Sequence, residues 1–436
     1  MNKYLPFNLE QIKELTRKYP TPFYIYDEQG IRNSARLVYE GFSWNSGFKE
    51  YFPIKAIPNP EIIKILKDEG CNMDCSSIPE LMIAESTGLS GDSIMLTSND
   101  TSPQEFRKAI EIGAIINLDD SNHLDYMENN AGLPKFLSLR YNPGPIKKKG
   151  KLTWKSLKED KFGMRKDQLL NTYKRAFEKG IRRFGLHMMI ISNDLNPTHF
   201  IDTVEICFNT AVELRKNLGI DLEFIDFGGG IGIPYRSNQK AVDILDLANR
   251  TRVMYGKLIL REGLKPLRLF MESGRFITGQ HGYLVSTVRH IKESYKLFAG
   301  LDASMTDLMR PGMYGAYHHI SLLGGDIRVP RKSYDVVGSL CENNDKFAIN
   351  RRLPILKAGD IVVIHDAGAY GRGKVFDFNG KLRPAEFLLQ SDNKFREIRR
   401  AEKPEDYFRT ISGWRVINGK LIGRNAASTR SYGQNL

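Results

Sequence analysis

Residues 50–70 read EYFPIKAIPNPEIIKILKDEG, which is the pattern of a strand, a turn and a helix in succession. The apolar run 50–55 ends on Lys55, and the next segment has Pro60 in its first helical turn and Gly70 as its stop. Burying an unpaired ammonium is costly. Lys55 is therefore either a strand-end lysine that reaches solvent or a desolvated amine kept for covalent chemistry with a carbonyl.

The same unit of strand and helix recurs along the chain. Eight short runs have strand character, and helical patterns that mostly end in glycine fill the intervals. The runs are EYFPIK (50–55), NMDCS (72–76), SIMLTS (93–98), AIINLD (114–119), KFLSLRYN (135–142), RRFGLHM (182–188), LEFIDF (222–227) and LRLFME (267–272). Eight units predict an α/β fold with a (β/α)8 TIM barrel; an open doubly wound sheet is the alternative. We favour the barrel because the strand count closes and no GxGxxG follows the first strand.

The pattern of the sequence changes from alternating strands and helices to strands alone after residue 280. Strand-like segments separated by Gly, Pro and Asn turns replace the helical patterns. We therefore predict a barrel over residues 28–280 and a second, mainly β domain made of residues 281–420 together with 1–27. Residues 421–436 are predicted to form a polar tail.

Composition limits the classes of partner. The chain has 436 residues, is 41% hydrophobic and carries a formal net charge of +13. No apolar run approaches the ~20 residues that cross a bilayer, and the N-terminus lacks a signal-peptide pattern. The four cysteines show no metal spacing, so we expect reduced thiols in a cytoplasmic protein. The densest basic runs, 147–161 and 399–403, carry no reading motif; we read the first as a solvated loop and expect neither nucleic acid nor membrane as a partner.

In a barrel of this kind the working residues lie at the carboxyl ends of the strands. We expect these ends to converge on one mouth, which makes the position of Lys55 functional rather than accidental. The predicted ends carry Lys55, Asp74 with Ser76, Asn99, Asp119, Arg140, His187, Gly228, Gly229, Gly230 and Glu272.

The residues after the seventh and eighth strands predict a phosphate-binding site. Gly228 to Gly230 leave backbone N–H groups unshielded, and Arg275 adds a charge-assisted bond, although a tight turn also needs glycine. An amine, a phosphate-binding site and a carboxylate together describe a site for pyridoxal 5'-phosphate. Lys55 would form a covalent bond with the aldehyde of the cofactor, and Glu272 would form a hydrogen bond with the nitrogen of its ring. A carboxylate keeps that nitrogen protonated, which favours decarboxylation, whereas an arginine there would suit racemisation.

Ordered motifs support this interpretation over about residues 20–410. They are YFPIKAIPN (51–59), RYNPG (140–144), KFG (161–163), GLH (185–187), DFGGGIGIPY (226–235), ESGR (272–275), DLMRPGMYGAYH (307–318), GSLCENND (338–345), DAGAYG (366–371) and NGKLRPAE (379–386). With these motifs the sequence resembles the fold-type III (alanine racemase-like) pyridoxal-phosphate-dependent decarboxylases. The resemblance implies a homodimer with shared active sites.

For the reaction, the resemblance implies decarboxylation of meso-2,6-diaminopimelate to L-lysine and carbon dioxide, the last step of lysine biosynthesis. Two alternatives stay open. One is a decarboxylase of another diamino acid, of the carboxynorspermidine, ornithine or arginine type. The other is a non-catalytic homologue.

The resemblance also implies a role for each matched residue. Lys55 carries the cofactor. In the neighbouring subunit's site, Cys341 is a candidate proton donor and Glu342 binds the distal amino group of the substrate. Cofactor contacts are implied for Lys55, Asp74, His187, Ser192, Gly228, Gly229, Gly230, Glu272, Gly274, Arg275 and Tyr370. Substrate contacts are implied for Arg275, Arg310, Tyr314, Glu342 and Tyr370.

Structural interpretations of the same residues compete with these roles. Cys341 is alternatively a small buried residue, Arg310 a partner in a structural ion pair, and the two tyrosines simple packing residues. The adjacent pair His318 and His319 would not face one way on a strand, and no third ligand is evident. We therefore predict no metal.

One motif departs from the family pattern. The family usually has His-x-Gly-Ser after GLH, with that histidine stacked on the cofactor ring, whereas residues 185–193 here read GLHMMIISN. Met189 takes the stacking position and Ile191 replaces the glycine, while Ser192 remains as a phosphate contact. Ser273 stands where the family commonly carries proline. These exchanges leave the identity of the substrate open.

Overall fold

The computed structural model describes residues 3–148, 151–153, 155–325 and 329–423. Its first compact unit is formed mainly by residues 27–282, with 366–373. Eight parallel strands close a barrel in this unit, so the predicted barrel is confirmed and the open-sheet alternative is wrong. The strands are β1 (Lys49–Pro53), β2 (Asn72–Cys75), β3 (Ile94–Ser98), β4 (Ile115–Leu118), β5 (Phe136–Arg140), β6 (Arg183–His187), β7 (Phe224–Asp226) and β8 (Arg268–Met271).

Helices alternate with these strands because the sequence supplies local start and stop signals. Asn59 accepts a hydrogen bond from the N–H of Glu61 at the start of one helix, and Gly219 ends another in the left-handed conformation. The helices are Glu28–Phe42, Pro60–Asp68, Ile78–Ser86, Pro103–Glu111, His123–Asn130, Lys166–Glu178, Pro197–Leu218, Ile244–Tyr255 with the π-turn Gly256–Leu260, and Gly274–Thr278. Short 3-10 turns are Ile54–Ala56, Gly91–Ser93, Lys155–Lys158 and Gly279–His281.

Two local expectations differ from the structure. The strand expected to run to residue 55 ends at Pro53, which has no N–H for the ladder, and Lys55 lies in the 3-10 turn that follows. The basic run 147–161, expected to be a loop, takes part in a two-stranded ladder of Ile146–Lys148 with Lys151–Thr153. Residues 149, 150 and 154 of that run lie outside the described residues.

Aromatic and aliphatic side chains fill the barrel. Because the members of one cluster come from six strands around the barrel, they meet in its interior. Phe224 and Phe270 stack there with their ring centroids 4.3 Å apart. The cluster consists of Tyr51, Met95, Ile115, Phe136, Phe224 and Phe270. The barrel is therefore a packed core and not a pore.

The second compact unit contains residues 4–26 and 283–365 together with the chain after 374, and it is mainly β, as predicted. Phe23 packs edge-on against Phe387 in its core, with centroids 5.3 Å apart. The strands are Phe23–Asp27, Gly282–Glu293, Leu297–Leu301, Ile320–Leu322, Arg331–Val337, Lys346–Pro354, Ile361–Ile364, Ala385–Leu389, Phe395–Arg399, Trp414–Ile417 and Lys420–Gly423, and the helical segments are Leu9–Lys18, Arg310–Tyr314, Arg372–Lys374 (a 3-10 turn) and Pro404–Phe408. From residue 424 onward the predicted polar tail lies outside the described residues.

In neither unit does a described helix combine the length and the apolar character needed to cross a membrane.

Gly185 of β6 tests the barrel packing. A Cβ added there would lie 2.1 Å from Cζ of Phe224, so the aromatic ring would have to move. We predict that Gly185→Ala lowers the free energy of unfolding by about 1–3 kcal/mol, measured by urea denaturation. Gly256→Ala is the control, because a Cβ added at Gly256 meets nothing within 4 Å. Equal urea midpoints for Gly185→Ala and the wild type would contradict this packing.

Candidate active site

Lys55 is paired with a buried acid at the barrel mouth. Its Nζ donates a hydrogen bond of 2.6 Å to Oδ2 of Asp74, and the lysine side chain keeps 40% of its surface exposed. Burial acts to lower the pKa of Lys55, but the carboxylates of Asp74 and Glu272 outweigh burial and raise it. Burial, reinforced by Glu272, raises the pKa of Asp74 to about 7 despite the opposing charge of Lys55. An accessible amine with its own buried partner suits covalent chemistry better than a lysine that only reaches solvent.

Glu272 and His187 lie at the ends of β8 and β6. Oε1 of Glu272 is 3.1 Å from Nε2 of His187, and both side chains are buried. Burial lowers the pKa of His187, so its imidazole is neutral at neutral pH. Burial alone would raise the pKa of Glu272, but His187, Lys55 and Arg140 outweigh it and bring the pKa to about 2. Because His187 is neutral at neutral pH, it acts on Glu272 there through its hydrogen bond, while Lys55 and Arg140 supply the positive charge.

A third buried acid, Asp226, completes a set of possible cation ligands. One donor atom each from His187, Asp226 and Glu272 lies within 4.8 Å of the others. Oδ1 of Asp226, however, accepts the N–H of Gly228 at 2.8 Å, and burial raises the pKa of Asp226. The raised pKa makes proton binding compete with metal binding at this carboxyl. That the protein binds no metal stays a prediction.

Only glycine fits at positions of the triplet after β7, because other backbone segments pass very close to it. A Cβ on Gly229 would lie 2.1 Å from the backbone oxygen of Glu272, and one on Gly230 would lie 2.2 Å from that of Ile191. Gly228 has a φ of 65°, and its oxygen accepts the N–H of Glu272 at 2.8 Å. The triplet therefore holds Glu272 as well as exposing amide groups.

The GLHMMIISN segment lies beside this triplet. Asp194 donates its N–H to the oxygen of Gly230 at 2.9 Å, which places the exposed Ser192 in the loop next to the glycines. The Sδ of Met189 accepts the N–H of Gly229 at 3.1 Å. The thioether therefore contacts the same amide groups that the sequence assigned to a phosphate.

Arg275 and Tyr370 meet at the same mouth. The guanidinium carbon of Arg275 lies 4.9 Å from the ring centroid of Tyr370, and its Nη1 donates to the hydroxyl of Tyr235 at 2.6 Å. Tyr370 has a φ of 56°, and its N–H donates to the oxygen of Ala56, the neighbour of Lys55, at 2.8 Å. Burial raises the pKa of the Tyr370 hydroxyl.

Gly274 packs against the turn that carries Lys55. A Cβ on Gly274 would lie 2.6 Å from Cγ of Pro53 and 3.0 Å from Cβ of Ala56. The glycine therefore lets the start of the helix Gly274–Thr278 lie directly against the lysine turn.

Other residues expected at the mouth have local partners. Ser76 donates its N–H and its hydroxyl to the carboxylate of Glu80, which makes Ser76 part of a helix start. Asn99 donates to the side chain of Asp100. Arg140 lies 3.6 Å from Asp119, as an ion pair at the ends of neighbouring strands.

Four predicted residues belong to the second unit. Arg310 is buried and donates from Nη1 to Nε2 of His318 at 2.9 Å, while Tyr314 is 59% exposed. Cys341 is exposed, so the alternative that it is a buried packing residue is wrong. The carboxylate of Glu342 is also exposed and accepts the N–H of Asn344. The roles of these four residues stay predictions.

His318, of the adjacent histidine pair, has structural partners within the second unit. With Nε2 of His318 accepting from Arg310, its Nδ1 donates to the backbone oxygen of His365 at 2.8 Å. Both ring nitrogens of His318 are therefore engaged.

Sequence reasoning assigned no role to two residues of this region. Tyr235 ends the GGGIGIPY motif and orients Arg275; its fixed position after the glycines was the available signal. Glu50 is fully buried in β1 and contacts Ser273, and the signal was a charged residue within an apolar strand.

A family model described as "Pyridoxal-dependent decarboxylase, pyridoxal binding domain" matches residues 31–279. The chain is 41% identical over 414 residues to "Protein TabA" of Pseudomonas amygdali pv. tabaci, covering 93% of this chain and 94% of that protein. It is 35% identical over 399 residues to the diaminopimelate decarboxylase of Methanothermobacter thermautotrophicus, covering 91% and 92%. The solved structure of diaminopimelate decarboxylase from Helicobacter pylori with L-lysine is similar, with a TM-score of 0.82, 29% identity and coverage of 91% and 98%.

The raised pKa of Asp74 predicts that the free energy of unfolding depends on pH. Between the ordinary value of 3.8 and the folded value of about 7, the native state binds the proton that the unfolded chain releases. The free energy of unfolding therefore falls as pH rises through this window, by up to about 1.4 kcal/mol per pH unit. We predict that Asp74→Asn flattens this slope in urea titrations, whereas Asp160→Asn, at an exposed site, leaves it unchanged. An equally steep slope in Asp74→Asn would contradict the assignment.

Proposed function

Because the chain belongs to the pyridoxal-dependent decarboxylases, and is thus an amino-acid decarboxylase, we propose that it converts meso-2,6-diaminopimelate to L-lysine and carbon dioxide. The observation that carries the proposal is the pairing of Lys55 with Asp74, at 2.6 Å, in a mouth that also contains the ionised Glu272. The names of relatives 30–35% identical to this chain support the choice of substrate.

The residues at the mouth fit pyridoxal phosphate. Buried polar atoms are normally hydrogen-bonded, yet Oδ1 of Asp74 and Nδ1 of His187, at the strand ends, have no such partner within the described part of the chain. Nε2 of His187 and Oε1 of Glu272 lie 3.1 Å from each other. A polar, partly charged ring bound among them would supply partners. The amides of Gly228 and Gly229 donate to Oδ1 of Asp226 and Sδ of Met189, and a phosphate bound there would replace these acceptors.

We assign roles to the chain's own residues on this basis. Lys55 holds the cofactor covalently, and Asp74, with its pKa of about 7, accepts or returns a proton beside that nitrogen. We propose that the amides of Gly228 to Gly230, with the Ser192 loop, bind the phosphate, for which the first two would exchange their present acceptors, Oδ1 of Asp226 and Sδ of Met189. Glu272, ionised at neutral pH, holds a proton on the ring nitrogen. When bound, the cofactor supplies an electron sink for the carbanion left by the departing carboxyl.

Recognition of a substrate with two amino-acid ends needs further charged groups. We propose that Arg275, Arg310, Tyr314 and Tyr370 bind substrate carboxylates. We further propose that Cys341 donates a proton and Glu342 binds the distal amine in the site of a neighbouring subunit. The exposure of Cys341 and Glu342 supports this proposal, because groups that serve another subunit have to lie at the surface.

We also propose a location, an assembly and a domain division for the protein. The chain would act as a cytoplasmic homodimer, with the barrel domain over 28–280 and the β domain over 1–27 and 281–420. Neither nucleic acid nor membrane is part of the proposal.

Another diamino acid is the second candidate substrate. The observation that favours it is the contact of Met189 Sδ with the N–H of Gly229, because this thioether lies where the family pattern places a stacking histidine. The relative named TabA, at 41% identity, carries no decarboxylase in its name.

A substrate panel distinguishes these candidates. We expect the purified protein loaded with pyridoxal phosphate to be yellow and to release carbon dioxide from meso-diaminopimelate faster than from ornithine, arginine or carboxynorspermidine. Lys55→Ala should lose the colour, the borohydride-stable label and turnover, because the covalent anchor is gone. Lys49→Ala, which removes an exposed lysine of the same strand, should lose none of these. Gas release from another diamino acid alone would refute the proposed substrate.

Complementation tests the shared sites. Mixed dimers of Lys55→Ala and Glu342→Ala contain one site with both native residues, so we expect a return to about a quarter of wild-type activity. Lys55→Ala mixed with Glu272→Ala is the control, since both changes lie in the barrel unit and no site is restored. Failure of the first pair to regain activity would contradict the role of Glu342 across subunits.

A further inference from the structure

Glu50 is a buried carboxyl that the roles given so far leave unused. It belongs to β1 and is 0% exposed. Its neighbour Tyr51 packs inside the barrel, and successive residues of a strand point to opposite faces. Glu50 therefore points to the outer face of the barrel, where its backbone N–H donates to the hydroxyl of Tyr39 on the surrounding helix Glu28–Phe42, at 3.3 Å.

The carboxyl of Glu50 contacts the peptide next to Glu272. Its Oε1 accepts a short hydrogen bond from the N–H of Ser273, which is itself buried. Its Oε2 is buried and has no hydrogen-bond partner among the described residues. A buried carboxyl is costly, so this one requires a reason beyond packing.

We propose that Glu50 is a positioning residue that holds the Ser273 peptide from the outer face of the barrel and thereby fixes the direction of the Glu272 carboxylate in the mouth. The peptide has a second tie, since the N–H of Glu272 donates to the oxygen of Gly228 at 2.8 Å. Glu272 is held on one side by the glycine loop and on the other by Glu50. The inference rests on the proposed function, in which Glu272 bonds the ring nitrogen.

The residue at position 273 supports this role. Ser273 has a φ of -83°, close to the value that a proline ring imposes, so the φ angle does not exclude proline, but the ring's Cδ would replace the N–H that points at Glu50. Proline lacks the N–H that Glu50 accepts. What Ser273 contributes beyond backbone shape is therefore this donor, and Glu50 and Ser273 form a matched pair.

The charges around Glu50 agree with this arrangement. Burial raises the pKa of Glu50 well above its ordinary value, and the nearby charge of Glu272 adds to it, although the hydrogen bonds from Ser273 act in the opposite direction. Asp226, Cys71 and Tyr39 are the other titratable groups in its surroundings. A raised pKa favours the neutral carboxyl, which still accepts a hydrogen bond and avoids like-charge repulsion with Glu272.

Four variants test the pair: Glu50→Leu, Glu50→Gln, Ser273→Pro and the double variant Glu50→Leu/Ser273→Pro. Two measurements are made on each purified protein. Urea unfolding of the cofactor-free protein reports the coupling between positions 50 and 273. Titration with pyridoxal phosphate reports affinity and the absorption and fluorescence of the bound ring, which respond to protonation of its nitrogen. Glu40→Leu is the matched control, because Glu40 is an exposed glutamate of the same unit.

We expect Glu50→Leu and Ser273→Pro each to bind pyridoxal phosphate about tenfold more weakly and with an altered absorption band, since each removes one buried hydrogen bond. Glu50→Gln, which keeps an acceptor oxygen, should retain the wild-type spectrum, and Glu40→Leu should match the wild type. The double variant should lose less stability than the sum of the single variants.

Additive stability losses, or an unchanged spectrum in both single variants, would overturn the positioning role. Failure of the proposed function looks different. The wild type itself would then take up no pyridoxal phosphate, and the positioning role would fall with it even if unfolding showed that positions 50 and 273 are coupled.

Discussion

The structure of the barrel mouth depends on one ammonium held among carboxylates. Desolvation lowers the pKa of Lys55, but the opposing charges of Asp74 and Glu272 outweigh it and raise that pKa. The two acids respond differently, since Asp74 has a pKa raised to about 7 whereas that of Glu272 is lowered to about 2. Near neutral pH, Asp74 can therefore gain or lose a proton while Glu272 stays ionised.

Backbone contacts keep these charges in place. The oxygen of Glu272 lies so close to Gly229 that no side chain fits between them, and its N–H is bonded to Gly228. On the outer face, Glu50 accepts the next N–H along the chain, that of Ser273. These hydrogen bonds restrict the direction of the Glu272 carboxylate, because a peptide held at both ends has few orientations. The glycines therefore hold the geometry of Glu272 in addition to the phosphate binding that we propose for them.

The departure from the family pattern lies on the same loop. Met189 places a thioether on the amide of Gly229, and Ile191 approaches Gly230, so both exchanged residues contact the glycine loop. In the proposed assignment, Lys55 and Glu272 define the cofactor chemistry, whereas the exchanged residues shape the space around the ring.

The barrel and the mainly β second unit are readable from the sequence, because hydrophobic periodicity, helix caps and glycine stops are local signals. The sequence also places His187, Glu272 and the glycines at strand ends, whereas Lys55, expected within a strand, lies in the 3-10 turn after it. The proton affinities of Asp74 and Glu272 follow only from the folded chain, since they depend on charges brought together from distant strands. The contact between Glu50 and Ser273, which are 223 residues apart in the chain, likewise exists only once the barrel closes.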